Sequence, residues 1–469
     1  MKIRKLSAAT ALGSLTASVA LLSGIQGAHA QGAPGAGSFP GSFLVPGTQT
    51  SFKVGGYVKL DYTYDFGPQQ TINGGAGPIG ISLDSGPCVS GGVGDGCSKA
   101  FEDASHRIHG TSQLTASESR FNIETRTPTA YGELKTFIEG DFTNPNGLSN
   151  SGSLKVNSNS YGFRLRQAYG TLGPFLAGQT LSLFRDGAAE AETLDFGGAL
   201  ATGVTRQPQV RYTFDLGNGL TWAVAAENPQ TQIFNLDSGG TTTTFGASPR
   251  QGDKIPDFTT ALVYNAPWGH LNLRGVVRDI YWHTATDVSK GGVKDSLFGW
   301  AIGFSGNWNV PIGKDSLAWE AAYGEGAGRY VTSGGPPTPD AFVTSACPDT
   351  DNAADVGDVA CPSATRHLKK INSWLVAANY THFWTDTLRS NIAGSYWRQE
   401  NNDAVRGSPD DACNQSLLWK DAYTGHVNLI WSPVPQTNFG IEFMRMQGRV
   451  ESGQKGQLTR VQVSAQFKF

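Results

Sequence analysis

The chain has 469 residues, a formal net charge of −3, and 60 glycines against 3 methionines. It carries no basic patch interleaved with aromatic residues, which argues against a nucleic-acid partner. Beyond the first thirty residues, no apolar run reaches the roughly 18 to 20 residues that a transmembrane helix requires. The abundance of glycine and the long Asn/Gly/Ser-rich stretches instead predict many strands joined by turns.

The N-terminus has the features of a secretory signal peptide. Lys2, Arg4 and Lys5 precede the apolar stretch "AATALGSLTASVALLSGI", and residues 28–30 supply the small-residue motif "AHA". We predict that residues 1–30 are removed on export and take no part in the fold. A retained N-terminal membrane anchor is the alternative interpretation.

Residues 31–50, "QGAPGAGSFPGSFLVPGTQT", contain too much Gly and Pro for a helix and show no heptad pattern. We expect this stretch to be a flexible segment ahead of one folded domain, which spans residues 51–469.

Alternating polar and apolar side chains begin near Ser51 and recur to the last residue. In "SFKVGGYVKLDYTYD", Val58 and Leu60 face one way while Lys59 and Asp61 face the other. A period of two is typical of a strand with one apolar face and one polar face. About sixteen such segments occur, and their lengths fit tilted transmembrane strands.

A later segment, "GFRLRQAYG", is read as placing Phe163, Leu165 and Tyr169 on the apolar face and Arg164 and Arg166 on the polar face. A soluble β-sandwich is the alternative fold, but mid-strand charges of both signs opposite bulky apolar faces argue against it. Aromatic residues also gather near segment ends, as in the interfacial girdles of membrane barrels. We therefore predict an all-β protein, a transmembrane antiparallel β-barrel of about 16 strands.

The connections between segments alternate in length. Short turns such as "TPTA", "APWG" and "WTDT" are separated by long polar stretches. The long stretches cover residues 66–106, 143–160, 229–256, 326–370 and 399–420. Short periplasmic turns and long extracellular loops are typical of outer-membrane barrels, and an even strand number returns both termini to the periplasm.

Two pairs of cysteines lie within the long stretches. Cys88 and Cys97 share one Gly-rich stretch, and Cys347 and Cys361 bracket another. In an exported protein each pair is a candidate disulfide, while Cys413 is left over and other pairings stay open. The paired C-x-x-C spacing of a zinc site is missing, so neither a metal nor another cofactor is predicted.

Residues 182–203, "SLFRDGAAEAETLDFGGALATG", follow the fifth predicted strand and form a candidate constriction loop. Its charged residues are Arg185, Asp186, Glu190, Glu192 and Asp195. Acidic side chains on an inward loop, opposite arginines on the wall, would produce a transverse field that orients dipolar solutes. An ordinary extracellular loop is the alternative.

The last segment, "RVQVSAQFKF", alternates up to Phe469, an aromatic residue that carries the terminal carboxylate. Such an ending resembles the signal that the barrel-assembly machinery of the outer membrane reads. Phe469 is therefore the candidate assembly signal, and outer-membrane lipid and this machinery are expected partners.

The stretches "SFKVGGYVKLDYTYDFG", "ASESRFNIETRTPTAYGELKTFIEGDF" and "RQPQVRYTF" resemble the DcaP-like outer-membrane porin family. The resemblance covers the predicted barrel and is strongest from Ser51 to Phe214. It implies a homotrimer of sixteen-stranded barrels of the general-porin type in the outer membrane of a Gram-negative bacterium. It also implies passage of small anions such as dicarboxylates. Some family members carry an N-terminal coiled coil, for which residues 31–50 have no pattern.

Selectivity in a wide barrel depends on the residues that line its lumen. Alternation places eight basic side chains on inner faces: Lys59, Arg120, Arg126, Arg164, Arg166, Arg211, Arg274 and Arg278. Arginine suits anion binding because its guanidinium stays charged and can donate two parallel hydrogen bonds to a carboxylate. The alternative is that these side chains pair with inward acids, such as Glu124, Glu133, Glu139 and Asp141, and select nothing.

Together these patterns predict a passive channel for small hydrophilic solutes, with a preference for anions. A receptor or adhesin barrel that acts through its cysteine-bearing loops is the first alternative. A barrel hydrolase is the second, but no G-x-S-x-G motif accompanies the histidines near the strands, so no catalytic residue is predicted.

Overall fold

The computed structural model describes residues 35–68, 109–144, 162–202, 206–235, 253–283, 294–332, 338–343, 367–401, 419–451, 453 and 455–469. The predicted signal peptide and the five cysteines, Cys88, Cys97, Cys347, Cys361 and Cys413, lie outside these described residues.

Sixteen antiparallel strands build the sheet. Their bounds are β1 Ser51–Pro68, β2 His109–Thr115 and Arg120–Thr129 with an interruption between, β3 Gly132–Asn144, β4 Gly162–Leu172, β5 Phe175–Leu181, β6 Arg206–Gly217, β7 Leu220–Glu227, β8 Asp257–Ala266, β9 Gly269–His283, β10 Lys294–Asn309, β11 Ser316–Glu325, β12 Asn372–Phe383, β13 Leu388–Glu400, β14 Trp419–Trp431, β15 Thr437–Val450 and β16 Lys455–Lys468. Each strand pairs with the next along the chain, and β16 pairs with β1, so the sheet closes. The predicted sixteen-stranded barrel is confirmed.

The connections alternate in length as the sequence predicts. At one end of the barrel they are short, covering residues 130–131, 173–174, 218–219, 267–268, 310–315, 384–387 and 432–436. Most connections at the other end are much longer; they include residues 69–108, 228–256, 326–371 and 401–418. The long-loop end therefore corresponds to the predicted extracellular end.

The two faces of the barrel wall differ as the alternation predicts. On β1, Val58 and Leu60 are 54% and 49% exposed. The alternate residues Lys59 and Asp61 are 8% and 1% exposed. The apolar face thus points outwards and the charged face points into the lumen.

A β-bulge in β4 changes one predicted orientation. Glu139 pairs with Gln167 and Gly140 pairs with Leu165, so Arg166 is an extra residue on β4. Beyond the bulge the parity is reversed, and Tyr169 pairs with Phe137 on the inner face rather than joining the apolar outer face. The prediction for Tyr169 was wrong because a strict period of two cannot show an inserted residue.

The seam between β16 and β1 closes the barrel at its periplasmic end. The Phe469 N–H donates to the Gly56 carbonyl oxygen at 3.1 Å, and the Gly56 N–H donates to the Phe469 carbonyl oxygen at 3.3 Å. Gly56 has a φ of +150°, and a β-carbon there would lie 2.2 Å from the Arg120 carbonyl oxygen, so the position requires glycine. The short strand Phe43–Leu44 of the N-terminal segment pairs with the first residues of β1. These residues precede the part of β1 that pairs with β16.

The interruption of β2, at residues 116–119, lies opposite Lys59. The Lys59 N–H donates to the Ser119 Oγ at 3.1 Å, and the Ser119 hydroxyl lies 3.3 Å from the Lys59 carbonyl oxygen, to which it donates. One hydroxyl can both accept and donate, so it replaces a missing pair of ladder bonds. The same interruption places the Glu118 carboxylate against the Lys59 ammonium inside the barrel.

Segments from the extracellular end fold inwards and fill part of the lumen. They are residues 182–202, the one-turn helix α1 at Gly328–Val331, and a small sheet of Ile233–Asn235, Ala341–Val343 and Leu368–Lys370. Inner-face residues pack against the first two of these segments in an apolar cluster that includes Leu375, Trp397, Met444, Met446 and Leu458. In the described part of the chain, no helix is long and apolar enough to cross a membrane.

Replacing Ser119 with alanine is expected to lower the free energy of unfolding by about 1–3 kcal/mol, because the variant leaves two Lys59 backbone groups without partners. Urea unfolding in lipid vesicles, followed by tryptophan fluorescence, measures the change. The exposed Ser112 of the same strand, replaced by alanine, is the matched control. Equal midpoints for the two variants would contradict the role given to Ser119.

Candidate functional site

The loop of residues 182–202 lies inside the barrel and is first held by the wall at β9 and β10. The Asp186 carboxylate lies 2.8 Å from His270 Nε2 and accepts a hydrogen bond from the Ser305 hydroxyl at 2.5 Å. Burial opposes ionisation of Asp186, but the hydrogen bonds from Ser305 and His270 hold its pKa below its usual value. Farther along, the Asn379 side chain donates to the Ala189 carbonyl oxygen at 2.9 Å.

The tip of the loop reaches the far wall at β15. The Glu442 carboxylate accepts hydrogen bonds from the N–H groups of Leu194, at 2.8 Å, and Asp195, at 3.2 Å. Asn428 donates to the same carboxylate at 3.0 Å. Glu442 is 1% exposed, so these donors replace its contact with water.

The tip is also tied to the closing seam of the barrel. Lys59 Nζ and Gln462 Nε2 donate to the Leu194 carbonyl oxygen at 2.8 Å and 2.9 Å. Arg460 lies between the carboxylates of Asp65, at 2.6 Å, and Asp195, at 3.4 Å. Burial raises the pKa of Asp195 to about 6, against the opposing effect of Arg460.

The two ends of the loop meet at β9 and β11. Arg274 Nη1 donates to the Phe184 carbonyl oxygen at 3.1 Å and to the Thr202 hydroxyl at 3.0 Å. Thr202 donates through its N–H to the Glu320 carboxylate at 3.2 Å. The loop is thus fastened to the wall along its length.

Each acidic side chain of the loop has a basic partner. Glu190 binds Arg185 of the same loop, and Glu192 binds Arg389 of β13 with an Nε–Oε2 distance of 2.7 Å. Asp186 and Asp195 bind His270 and Arg460, as described above. The predicted field from loop acids is therefore reduced by partners that the sequence analysis did not include.

A cavity of about 760 Å³ remains between the loop and the wall, to which β1–β4 and β6 contribute on one side and β11, β12 and β14–β16 on the other. The basic side chains that line it are Lys59, Arg120, Arg164, Arg166, Arg185 and Arg206. Phe196 of the loop also lines it, with the guanidinium carbons of Arg164 and Arg166 each 5.5 Å from its ring centroid. These two arginines therefore lie together next to the passage.

Four of these cations have acidic partners on the wall. Arg164 donates to Asp141 at 2.8 Å, and Arg166 donates to Glu139 at 2.8 Å and to Asp141 at 2.9 Å. Lys59 binds Glu118, and Arg120 lies 3.8 Å from Glu139. The alternative interpretation, in which inward cations pair with inward acids, therefore describes these four side chains.

Arg206 is different, and sequence reasoning missed it. In the described part of the chain, its Nε has no hydrogen-bond partner, and none of the ion pairs there includes it. Strict alternation places Arg206 on the outer face with Pro208 and Val210. It faces the cavity because it is the first residue of β6, where the loop joins the strand. Its position directly after an inward loop is the signal that could have identified it.

The other predicted cations lie on the inner face but outside this cavity. Arg126 lies at the periplasmic end, 2.6 Å from Glu124 and stacked on Phe39, and Arg211 donates to the Leu181 carbonyl oxygen at 2.8 Å. Arg274 and Arg278 are 1% and 2% exposed. For these two, the prediction of a pore-lining position needs correction.

Arg278 is buried because inward segments cover it. Its guanidinium lies 3.3 Å from Asp257 and 2.7 Å from Asp340, and it donates to the Gln230 carbonyl oxygen at 2.7 Å. It therefore holds two extracellular segments to the wall, as Arg274 holds the loop.

One place in the described chain brings serine, histidine and aspartate together, at Ser305, His270 and Asp186. Both Ser305 and His270 bind the same carboxylate oxygen, Asp186 Oδ2, so the histidine is not oriented towards the serine hydroxyl. This arrangement anchors the loop and does not activate a nucleophile. Across the described ranges, no group of three or more His, Cys, Asp or Glu side chains could hold a metal ion.

Comparisons with known proteins agree with this architecture. The family model described as "Porin subfamily" matches residues 39–447. The porin Omp2b of Brucella suis biovar 1 (strain 1330) is 28% identical over 237 residues, which are 50% of this chain and 53% of that protein. The match thus spans about half the length of this curated relative.

Among solved structures, the outer membrane channel DcaP of Acinetobacter baumannii superposes with a TM-score of 0.65. The superposition covers 91% of this chain and 99% of that chain at 19% identity, which shows the shared fold.

Replacing Glu442 with alanine is expected to release the tip of the loop, because two loop N–H groups lose their acceptor. In planar lipid bilayers, the variant should show a larger mean conductance and more open-channel noise than the unchanged protein. Asp386→Ala, at an exposed periplasmic turn, is the control. Noise and conductance equal to those of the control would show that Glu442 does not hold the loop.

Proposed function

Because the chain belongs to the porin subfamily, we propose that it forms a water-filled channel through which small hydrophilic solutes cross the bacterial outer membrane by diffusion. The proposal includes a preference for anions, of which dicarboxylates are the expected class.

The observation that carries the proposal is the distribution of charge around the cavity. Basic side chains from β1, β2, β4 and β6 line one side, while the loop acids on the other side are bound to basic partners. Arg206 adds a guanidinium that no acid in the described chain neutralises. A passing anion is therefore attracted more strongly than a passing cation.

Two neighbouring arginines support the dicarboxylate class. Arg164 and Arg166 both lie against Phe196, and each retains N–H donors beyond those used for Asp141 and Glu139. A solute with two carboxylates can bind one guanidinium group with each carboxylate, while a solute with one carboxylate binds only one.

We also propose an assembly of three copies, export through a cleaved signal peptide, and recognition of Phe469 by the barrel-assembly machinery. The resemblance to trimeric porins supports the first point. The position of Phe469 at the seam, on the outer face, supports the last.

The purified protein in a planar bilayer under a KCl gradient tests the channel directly. We expect ohmic, water-filled conductance and a reversal potential that indicates anion preference. Cation preference would remove the anion proposal and keep the channel. The absence of conductance from refolded, heat-modifiable protein would remove the diffusion function.

Arg206→Gln is expected to lower the anion-to-cation permeability ratio about twofold. A unit charge roughly 7 Å from an ion in water contributes about 0.6 kcal/mol, which salt screening then reduces. Because Arg206 has no acidic partner in the described chain, its removal leaves no buried acid unpaired. Arg164→Ala combined with Arg166→Ala should reduce the ratio further, since Asp141 then loses both arginine partners and Glu139 loses Arg166 and keeps Arg120, at 3.8 Å.

The control for both variants is Lys254→Ala combined with Lys314→Ala, which removes two positive charges outside the cavity. An unchanged permeability ratio in Arg206→Gln, with the control also unchanged, would show that the lumen arginines do not set selectivity.

A further inference from the structure

The outer surface at the extracellular end of β13–β16 carries a row of charged side chains. Cross-strand pairing aligns Arg398 with Asp421, Asp421 with Arg449, and Arg449 with Lys455. All four belong to the outward parity of their strands. Arg445, which is exposed, lies four residues before Arg449 on the same face of β15. We call Arg398, Arg445, Arg449 and Lys455 the outer cationic patch.

Three members of the patch, Arg398, Arg449 and Lys455, lie above an aromatic row and a notch, and Arg445 lies beside the notch. Tyr396 pairs with Tyr423 in the row below, and Gly394 pairs with Gly425 in the next. A β-carbon at Gly425 would meet no atom within 4 Å, and one at Gly394 would meet only the Thr424 carbonyl oxygen at 3.7 Å. The two glycines therefore leave an open notch in the outer surface, and Arg445 pairs directly with Gly425 at its side.

Apolar side chains continue below the notch. Ile392 pairs with Val427, and Val427 pairs with Phe443; the three side chains are 58%, 51% and 48% exposed. From the loops towards the membrane centre, the surface thus carries a cationic row, then an aromatic row, then the notch with Arg445 at its side, and then apolar side chains. This order matches an amphiphile that has an anionic head and hydrocarbon chains.

The charge of the patch is only partly neutralised by the described chain. Glu400 lies two residues after Arg398 on the same face of β13, and Glu451, which Lys420 binds, directly follows β15. Asp421 is bound by Arg449, with an Nε–Oδ2 distance of 3.2 Å, and Arg445 donates to the neutral Gln457 at 2.9 Å. No hydrogen bond or ion pair within the described ranges includes Arg398. Three arginines and one lysine therefore face Asp421 along these rows, with Glu400 and Glu451 at their extracellular end, and the patch keeps an excess of positive charge.

We propose that the outer cationic patch binds the phosphorylated headgroup of an anionic glycolipid in the outer leaflet, with an acyl chain in the glycine notch. The inference rests on the outer-membrane location proposed above. Guanidinium groups bind phosphate oxygens through paired N–H donors, and the aromatic row fits the interface between headgroups and hydrocarbon. A two-fold contact with a second copy of the chain would bring two cationic patches together, so repulsion disfavours a dimer formed through this face.

Native mass spectrometry of the complete mature protein in detergent tests the proposal. The probes are bis-phosphorylated lipid A, its dephosphorylated form and inorganic phosphate. We expect the intact protein to retain the bis-phosphorylated lipid and to lose it when the phosphates are removed. The variant Arg398→Gln with Arg445→Gln should weaken retention by about tenfold or more.

A second variant changes the notch and keeps every charge. A β-carbon at Gly425 meets no atom within 4 Å, so we expect Gly425→Leu to fold and conduct normally and to retain less lipid. Lys254→Gln with Lys314→Gln is the control for loss of two positive charges elsewhere, and it should retain lipid as the unchanged protein does.

Three results would overturn the proposal. The first is equal retention in both patch variants and the control. The second is displacement of the lipid by inorganic phosphate at equal concentration, which would assign the patch to free phosphate. The third is loss of the oligomer in the patch variants with lipid retention unchanged, which would make the patch a contact between copies. Normal conductance in the same samples separates any of these results from a failure of the channel function.

Discussion

Every backbone polar group that faces hydrocarbon must find a partner within the protein, and the rest of this structure depends on that constraint. It explains why the sheet closes at Gly56 and Phe469, where the last residue supplies both an N–H and a carbonyl oxygen to the first strand. It also explains the short strand Phe43–Leu44, which pairs with β1 beyond the chain end. Where the ladder breaks, at β2, a serine hydroxyl substitutes for it.

Inside the barrel, buried polar groups also need partners, and there charged side chains supply many of them. Three loop acids bind basic side chains of the wall and help to position the loop, while most cations of the cavity bind acids of the wall itself. What remains available to a solute is the part of the charge that the pairs do not use. In the described chain this includes Arg206 and the free donors of Arg164 and Arg166. Structure and selectivity therefore depend on the same set of side chains.

Local patterns and long-range contacts differ in how far the sequence reveals them. Strand parity is a local property, so the sequence identified the sixteen strands and the inner faces of Lys59, Arg164 and Arg166. It failed at Tyr169, because one inserted residue in β4 reverses parity without changing composition. It also failed for Arg274 and Arg278, because the groups that bury them, such as the Phe184 carbonyl oxygen and Asp340, are far away along the chain. Alternation defines a surface, while burial depends on what folds over it.

The inward loop and the apolar cluster beside it make the width of the passage independent of the circumference of the barrel. Strand number sets the circumference. The aperture is set by residues 182–202 and by side chains such as Trp397 and Met444, which pack inside the wall as they would in a soluble core. The barrel wall therefore sets the circumference, and the loop inside it sets the width of the passage. For nanopore engineering, sensing of single analytes can be tuned by changing this loop together with the inner-face side chains that bind it, such as Glu442 and Arg460, without altering the membrane-facing side chains.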